Sequence, residues 1–440
     1  MKPKVVLGVS LFALLCVPAF RLPAAEPWTL ERAIACALTN NPDARIALKR
    51  IAAARAGIEQ ANSALWPHLQ VQSSYTRTDN PMQVFGNILA QRSYNYSAPP
   101  DFNDLPDMDD LNVRGAVTMP LYAGGRIAAG RTAAKANSEA AKAGADAVRN
   151  SLAFEVARTF HAVLKTRQFI RAAEAAVNSY GNNLVIASNR VAAGAALKTD
   201  LLDMEVRLAQ AREDLARARN ANALSERTLQ NILGIDDSQF AVADAVPAVV
   251  APAGDDFSLR PELTAVREQQ RAAEAQVRQA KSGYLPRLNA FGSLDYDYGW
   301  VNQGDGRSYT AGVMAEWDWW DGKLTRGRVS EARANLEAAR EQERKVRLAI
   351  SLEVEQARLQ LADATERLAV TEAAVAQAQE SVELTRSRFG QGLMLATQLI
   401  DAETALTGAR VRRAEAEADQ RIAIAALRKA LGLPQLISTP

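Results

Sequence analysis

The sequence contains little cysteine, little histidine and almost no net charge. Two cysteines and two histidines in 440 residues argue against a disulfide framework and against a histidine-based metal site or catalytic triad. The 52 basic and 50 acidic residues balance, so nothing in the charge calls for a nucleic-acid partner. Frequent alanine and an aromatic content of only 6% are typical of long helices and coiled coils rather than of a compact enzyme.

Long apolar runs are absent after the first 25 residues. That first segment has two lysines, an apolar run and then small residues, which predicts a secretory signal peptide over 1–25, cleaved after Ala25 rather than Ala19. The run is too short for a comfortable membrane anchor. Lipidation at Cys16 is the alternative, although the residue before it is too large for that processing. Without a transmembrane helix, the exported chain can enter a membrane only through strands.

A duplicated segment is the most informative feature that is present. Residues 190–234 return without a gap as residues 388–432, a shift of 198 positions. Each copy predicts a helical hairpin, in which a glycine-centred turn leads into a return helix that stops at Leu-Gly. The residues that are identical in the second copy are Arg190, Gly194, Leu197, Thr199, Leu201, Asp203, Glu205, Leu208, Arg212, Leu233 and Gly234.

The helix before each turn carries apolar residues at intervals of seven. This spacing predicts a supercoiled helix of about 64 residues, roughly 100 Å long. A helix of about 36 residues before each strand pair and a return helix of about 35 would stack end to end beside it. The linker 235–257 would lie outside at mid-height. The heptad positions are Val156, Val163, Ile170, Val177, Leu184 and Val191, then Val354, Leu361, Leu368, Val375, Val382 and Phe389.

Four segments alternate between apolar and polar residues, namely 68–78, 112–121, 288–298 and 309–319. Only Phe291 interrupts the pattern. Their length, about 9–11 residues, is that of a membrane-spanning strand. A soluble antiparallel sheet with one wet face would show the same alternation. Aromatic residues at the strand ends favour the membrane, since they would form an interfacial girdle: Trp66, Tyr284, Tyr296, Tyr298, Trp300, Trp317, Trp319 and Trp320.

Four strands are too few to close a barrel, and lipid does not tolerate an open sheet edge. Several copies are therefore expected to share one barrel. Between the first two strands, the proline- and aspartate-rich stretch 79–110 predicts a long surface loop. The mature chain divides into a first repeat, 26–245 with strand pair 68–121, and a second repeat, 246–440 with strand pair 287–320.

Two further motifs have a functional and a structural interpretation. Gly124-Gly125-Arg126 precedes a helix as an anion-binding loop would, but it has no phosphate-loop lysine, and a strand-to-helix turn needs glycine anyway. The aspartates of 101–110 could hold calcium, but their spacing is not that of an EF-hand and favours a solvated loop. We therefore predict no catalytic, cofactor or metal site, and no enzyme.

In this order, the motifs resemble the TolC-type outer-membrane efflux proteins (outer membrane factors). They are TLERAIACALTNNPDARIA from residue 29, PLYAGGR from 120, SLRPELTAV from 258 and WDGKLTRGR from 320, with both hairpins. The resemblance implies a mainly α fold with a transmembrane β part. Three copies would close a 12-stranded barrel in outer-membrane lipid over a periplasmic α-helical tunnel. The trimer would be the passive exit duct of a tripartite efflux or secretion system, with a periplasmic adaptor and an inner-membrane transporter.

The resemblance also places functional residues at the hairpin turns. The adaptor would dock on the turns, at Gly194, Ala195, Leu197, Thr199, Gly392, Leu393, Leu395 and Thr397. A gate would lie just beyond them, at Asp200, Asp203, Gln398 and Asp401, where Gln398 departs from the acidic pattern. Alternatively, Asp203 and Asp401 are polar helix-start residues favoured by the helix dipole. The rival function is a periplasmic coiled-coil adaptor or scaffold, but adaptors carry one hairpin rather than a duplicated hairpin and strand pair.

Overall fold

The structure is a computed structural model that describes residues 27–101, 104–236, 240–244 and 249–436. The predicted signal peptide, with Cys16, lies outside the described residues. The helices and strands, in chain order, are α1 Leu30–Asn40, α2 Pro42–Ser63, β1 His68–Thr78, α3 Pro81–Ala90, β2 Met108–Tyr122, α4 Arg126–Ala192, α5 Lys198–Leu233, α6 Pro261–Lys281, β3 Arg287–Tyr298, β4 Asp305–Glu316, α7 Leu324–Gly390 and α8 Ala396–Ala430.

The two long helices and the two hairpins are confirmed. Helices α4 and α7 each contain 67 residues, and their return helices α5 and α8 contain 36 and 35. Val156, Val163, Val354, Val382 and Phe389 of the heptad positions are buried. Apolar side chains at this interval follow one face of each long helix, which packs against its neighbours.

The return helices stack end to end on the helices that lead into the strands, as predicted. A Cβ atom on Gly234 would lie 3.0 Å from the carbonyl oxygen of Asn40, the last residue of α1 and just before α2. Gly432 approaches Leu259, at the start of α6, equally closely. Both glycines have positive φ, 69° and 75°, which suits a helix end. The expected length was wrong in the second half, because α6 has only 21 residues and the described residues before it include no helix that corresponds to α1.

The helices form four parallel columns. α4 packs against α5 and α2 on one side and against α8 and α6 on the other, and α7 packs against α8 and α6. The edges of this layer are therefore the α5/α2 column and α7. The described part of the linker includes Val242, which pairs with Trp28 and packs between α1, α4 and α5. Within the described ranges, no helix is both long and apolar enough to cross a membrane.

The four strands form one antiparallel sheet in the order β1-β2-β3-β4, with a bulge between Pro120 and Tyr122. Asn112 lies opposite Asp297, and Asp297 lies opposite Gly306, so these residues share the polar face. The other face is apolar and exposed, as the alternation predicted. Its most exposed residues are Leu69, Val71, Leu294 and Tyr309. Phe291 stands on the polar face, where its ring lies 2.9 Å from a Cβ built on Gly312.

The prediction of a surface loop over 79–110 was wrong. This stretch contains α3, and β2 already begins at Met108. Asn80 caps α3 by accepting a hydrogen bond from the Met82 backbone N–H (3.1 Å). Val84 and Ile88 pack against Met108 in a small buried cluster. The strand ends also differ, because β4 spans Asp305–Glu316, so that Trp317, Trp319 and Trp320 follow it as exposed residues.

The turns from strand to long helix require left-handed backbone. Gly125 caps α4 with φ 84°, and Lys323 occupies the equivalent position before α7 with φ 74°. A Cβ on Gly124 would lie 2.8 Å from the Leu285 Cβ and 2.9 Å from the Ser282 carbonyl oxygen. The glycines at 124 and 125 are thus explained by a turn against the segment that leads into β3.

Candidate functional site at the hairpin turns

The two hairpin turns have the same backbone geometry. Gly194 and Gly392 have φ of 70° and 82°. Leu197 and Leu395, which precede the return helices, have φ/ψ of −80°/151° and −79°/152°. A backbone hydrogen bond closes each turn, from Ala195 to Arg190 (2.8 Å) and from Leu393 to Arg388 (3.0 Å). The repeat in sequence is therefore a repeat in structure.

The predicted docking residues lie on the surface of these turns. Gly194, Ala195, Thr199, Gly392 and Thr397 are exposed. Leu197, Leu393 and Leu395 are exposed too, with 69%, 73% and 65% of their surface accessible. Large apolar side chains this exposed at the end of a coiled coil are typical of a contact surface.

Two of the four predicted gate residues have a local structural role. Asp200 Oδ2 accepts a hydrogen bond from the Leu197 N–H, and Gln398 Oε1 accepts one from the Leu395 N–H, each at 3.3 Å. Both therefore make the contact that the third helical residue makes in a capping box. Leucine has no side-chain acceptor, so the second hydrogen bond of a capping box, from the N3 backbone N–H to the N-cap side chain, is missing. Because an amide oxygen accepts this bond as a carboxylate does, Gln398 can replace an acid here.

Asp203 and Asp401 lie one helical turn further on and are exposed. Neither makes a hydrogen bond or an ion pair with the described part of the chain, and no such bond joins any two of the four gate residues. Their carboxylates remain free to act on the surroundings of the tip.

The second turn is packed into the chain, whereas the first turn is open on one side. Ala396 and Leu399 are buried in a cluster with Met204 and Phe389. The equivalents of Ala396 and Leu399 in the first turn, Lys198 and Leu201, are exposed and partly buried. The first turn thus retains a surface that its counterpart has already covered.

Arg190 joins the two turns. Its guanidinium donates to the Phe389 carbonyl oxygen (2.7 Å) and to the Ala195 carbonyl oxygen (3.0 Å), and it lies 5.0 Å from the centre of the Phe389 ring. It also lies 3.4 Å from a Cβ built on Gly392, so glycine leaves room for it there.

A buried polar cluster lies above the turns. Glu403 accepts hydrogen bonds from Ser179 Oγ (2.6 Å), Asn183 Nδ2 (3.1 Å) and the Arg386 guanidinium (2.6 Å). It thereby links α8 to both α4 and α7. Burial raises the pKa of the neighbouring Tyr180, whose hydroxyl lies 3.0 Å from Thr404 Oγ. Sequence reasoning missed Glu403, although an acid between Leu399 and Leu406 occupies a core position of the heptad.

The sequence matches the family described as outer membrane efflux protein over residues 33–235 and 257–433. The chain belongs to this family. The match includes both hairpins and all four strands, and the TolC-type resemblance of the motifs is confirmed. The outer membrane efflux proteins are a channel family rather than an enzyme family.

Relatives and solved structures of outer membrane efflux proteins agree with this assignment. The chain is 26% identical to the cobalt-zinc-cadmium resistance protein CzcC of Cupriavidus metallidurans over 240 residues, 54% of this chain and half of that protein's length. It is 22% identical to the pyoverdine export outer membrane protein OpmQ of Pseudomonas putida over 417 residues, 92% of this chain and 85% of that protein. The Campylobacter jejuni CmeC outer membrane channel has the same fold, with a TM-score of 0.80 at 16% identity. The superposition covers 99% of this chain and 96% of the CmeC chain.

Proposed function

We propose that this outer membrane efflux protein is a homotrimeric, passive exit duct of a tripartite pump. Three copies would close a 12-stranded barrel in the outer membrane over a periplasmic helical tunnel, with a periplasmic adaptor and an inner-membrane transporter as partners. The relatives named for metal resistance and pyoverdine export support a role in efflux. Four amphipathic strands with two open edges carry the proposal.

The sheet supports a shared barrel. In the described part of the chain, β1 pairs only with β2 and β4 only with β3, so each outer strand has one unpaired edge. In lipid these backbone groups need partners, and β4 of one copy pairing with β1 of the next supplies them. Three copies bring twelve strands, and the exposed apolar face then contacts lipid.

The helical layer supports the same head-to-tail arrangement. Each long helix lies beside columns of short helices, and α4 has such a column on both sides. Within the chain, α7 has such a column on one side only, formed by α8 and α6. An α5/α2 column from the next copy completes the alternation, and a repeated head-to-tail contact closes a ring. Both surfaces carry exposed apolar residues, Leu348, Leu352, Leu359, Val370 and Leu384 on α7, with Ile46, Leu48, Leu202, Val206 and Leu224 on α2 and α5.

The duplicated arginine supports this ring at the tip. Arg388 is the repeat equivalent of Arg190, is exposed, and makes no hydrogen bond or ion pair within the described chain. The equivalent contact would take it to Val191 and Gly194 of the next copy. A Cβ on Gly194 meets nothing within 4 Å, whereas Gly392 is already covered by Arg190. The open space at Gly194 would therefore leave room for Arg388 of a neighbour.

The tip would act as the gate and the docking surface. Energy would come from the transporter, and opening would separate the return helices at the turns. The exposed Leu197, Leu393 and Leu395 would contact the adaptor. The free carboxylates of Asp203 and Asp401 would make the entrance cation-selective, with Asp200 contributing less because it caps its helix. We expect Asp203→Asn and Asp401→Asn to lower cation selectivity in planar bilayers; unchanged selectivity would remove these residues from the gate.

The mass and shape of the particle purified from detergent-solubilised outer membranes test the proposal. We expect a trimer well over 100 Å long, since the long helices alone span about 100 Å. A monomer or dimer recovered from the soluble periplasm would refute the duct and favour the scaffold. Arg388→Ala should weaken the trimer, while Arg190→Ala, its matched control, should loosen the turns within one chain.

A further inference from the structure

The helix α3 folds onto the polar face of the sheet. Gly306 of β4 lies opposite Asp297 and shares its face. A Cβ added to Gly306 would collide with the Ala90 carbonyl oxygen, at the C-terminal end of α3. The backbone of α3 therefore covers the polar face of β4 directly, and only glycine permits this approach.

Gln91, which follows α3, fixes this position. Its Nε2 donates to the Asp109 carbonyl oxygen (2.7 Å) and to Asp110 Oδ1 (3.1 Å) of β2. Gln91 is 1% exposed, and Cβ atoms added to Gly299 or Gly304 would collide with it. Thus α3 is anchored to β2, to β4 and to the loop between β3 and β4.

The length of α3 matches the width of the sheet. Ten residues span about 15 Å, and the distance from β1 to β4 is three strand spacings, about 14 Å. The helix starts after the end of β1, contacts β2 and ends over β4. It therefore crosses the end of the sheet that is remote from the long helices.

One exposed face of α3 is apolar, whereas Gln83 is exposed beside it. The helix contains no charged residue, Val84 and Ile88 face the sheet, and Met82 and Leu89 are 81% and 49% exposed. Met82, Gly86 and Leu89 share one face at helical spacing. An uncharged helix in a chain with 23% charged residues indicates a surface that serves a purpose other than solvation.

We propose that α3 of each copy projects into the barrel and forms a second, apolar constriction at its outer mouth. This inference rests on the proposed trimeric duct, in which the polar face lines the pore. Twelve strands spaced about 4.8 Å apart and tilted about 40° make a barrel roughly 24 Å across. A helix is about 10 Å wide, so three of them leave an axial gap of only about 4 Å. Met82 and Leu89 line that gap, which admits only the smallest solutes and blocks bulkier ones until the helices move apart.

Thiol labelling in intact cells tests the constriction. Thr310 is exposed on the polar face of β4, about 13 Å below Gly306 along the strand. Thr310→Cys is placed in a Cys36→Ser background and exposed to two membrane-impermeant maleimides. One is small and charged; the other carries a short polyethylene glycol chain that is wider than the gap but narrower than the open barrel.

Two changes loosen α3. Gly306→Ala forces Ala90 away from the sheet, and replacement of residues 82–89 by glycine and serine removes the helix. Gly312→Ala is the matched control, because it adds the same methyl group to the same face of β4 but meets only the Phe291 ring.

We expect the small reagent to label Thr310→Cys in every variant. The bulky reagent should label it only when α3 is loosened or replaced, and not in the unaltered chain or with Gly312→Ala. Equal labelling of the unaltered chain by both reagents would overturn the constriction and leave the duct intact. Failure of the bulky reagent to label even the chain without α3 would show that another element closes the mouth. If the small reagent labels no variant, the polar face does not line an outward-opening pore, and the proposed duct fails with this inference.

Discussion

Replacing Glu403 by alanine should loosen the attachment of the second hairpin near its turn. The Glu403 side chain is 4% exposed and holds three donors from two other helices. Its repeat equivalent, Glu205, is the same residue in the same sequence context but is exposed on α5. Glu205→Ala is therefore a matched control that removes a carboxylate without removing a buried contact.

The magnitude follows from the contacts of Glu403. Each of the bonds from Ser179 and Asn183 to the carboxylate contributes about 1.5 kcal/mol. The Arg386 side chain is 41% exposed, so the ion pair adds only about 1 kcal/mol. Loss of the buried carboxylate also removes its desolvation cost, which offsets part of this sum. We expect a loss of about 2–3 kcal/mol, or roughly a 30- to 160-fold rise in the equilibrium constant for local opening of the tip.

Hydrogen exchange followed by mass spectrometry on the purified protein measures this opening. Peptides that cover residues 176–190 and 396–410 should exchange faster in Glu403→Ala by the stated factor, while peptides from the sheet keep their rates. Glu205→Ala should change exchange by less than about 0.5 kcal/mol, as surface substitutions do. Equal effects of the two substitutions would refute the idea that burial of Glu403 fastens the hairpin. A double-mutant cycle with Arg386→Ala should give a coupling of about 1 kcal/mol.

Three further predictions concern stability, and each is tested by thermal denaturation of the purified protein. Lys323→Gly relieves a left-handed backbone and should stabilise by about 1 kcal/mol, whereas Gly125→Ala at the equivalent position should destabilise by a similar amount; equal signs would contradict the backbone argument. Gly124→Ala should cost at least about 2 kcal/mol, because its Cβ collides with Leu285 and Ser282 as well as straining the backbone. Burial, and then Arg421, lowers the pKa of His161 to about 4. The unfolded chain therefore takes up a proton first, so stability is unaffected above pH 6.5 and falls by up to about 3 kcal/mol as the pH drops to 4. His161→Gln should remove this loss, and His68→Gln should retain it.

Local periodicity gave most of the fold. Apolar residues at intervals of seven predict the two long helices, and alternation predicts the four strands, because these patterns depend only on helix and strand geometry. The glycine-centred turns and the Leu-Gly ends of the return helices were also predicted from short segments of sequence. The strand limits were less accurate, since the end of β4 at Glu316 depends on which residues still find a partner on β3. The division into repeats at residue 245 stays a prediction.

The functional residues could be predicted only in part from their neighbours in the sequence. Comparison with known motifs located the turns, but only the structure showed that Asp200 and Gln398 cap their helices while Asp203 and Asp401 stay free. The role of Arg190 depends on Phe389, almost two hundred residues away. No local pattern reports such a contact.

The sequence by itself determined most of the secondary structure, the duplication and the family, because each depends on residues that lie close together in the chain. The tertiary structure decided which of two equivalent residues is buried in a contact with other helices. Glu205 and Glu403 occupy the same position of the repeat, yet only Glu403 is buried, because α8 lies against α4 and α7 whereas α5 lies at the edge of the layer. In the same way, α3 can dock on the sheet because distant glycines at 299, 304 and 306 leave room for Ala90 and Gln91. Burial depends on neighbours that packing brings together, and these neighbours are far apart in the sequence.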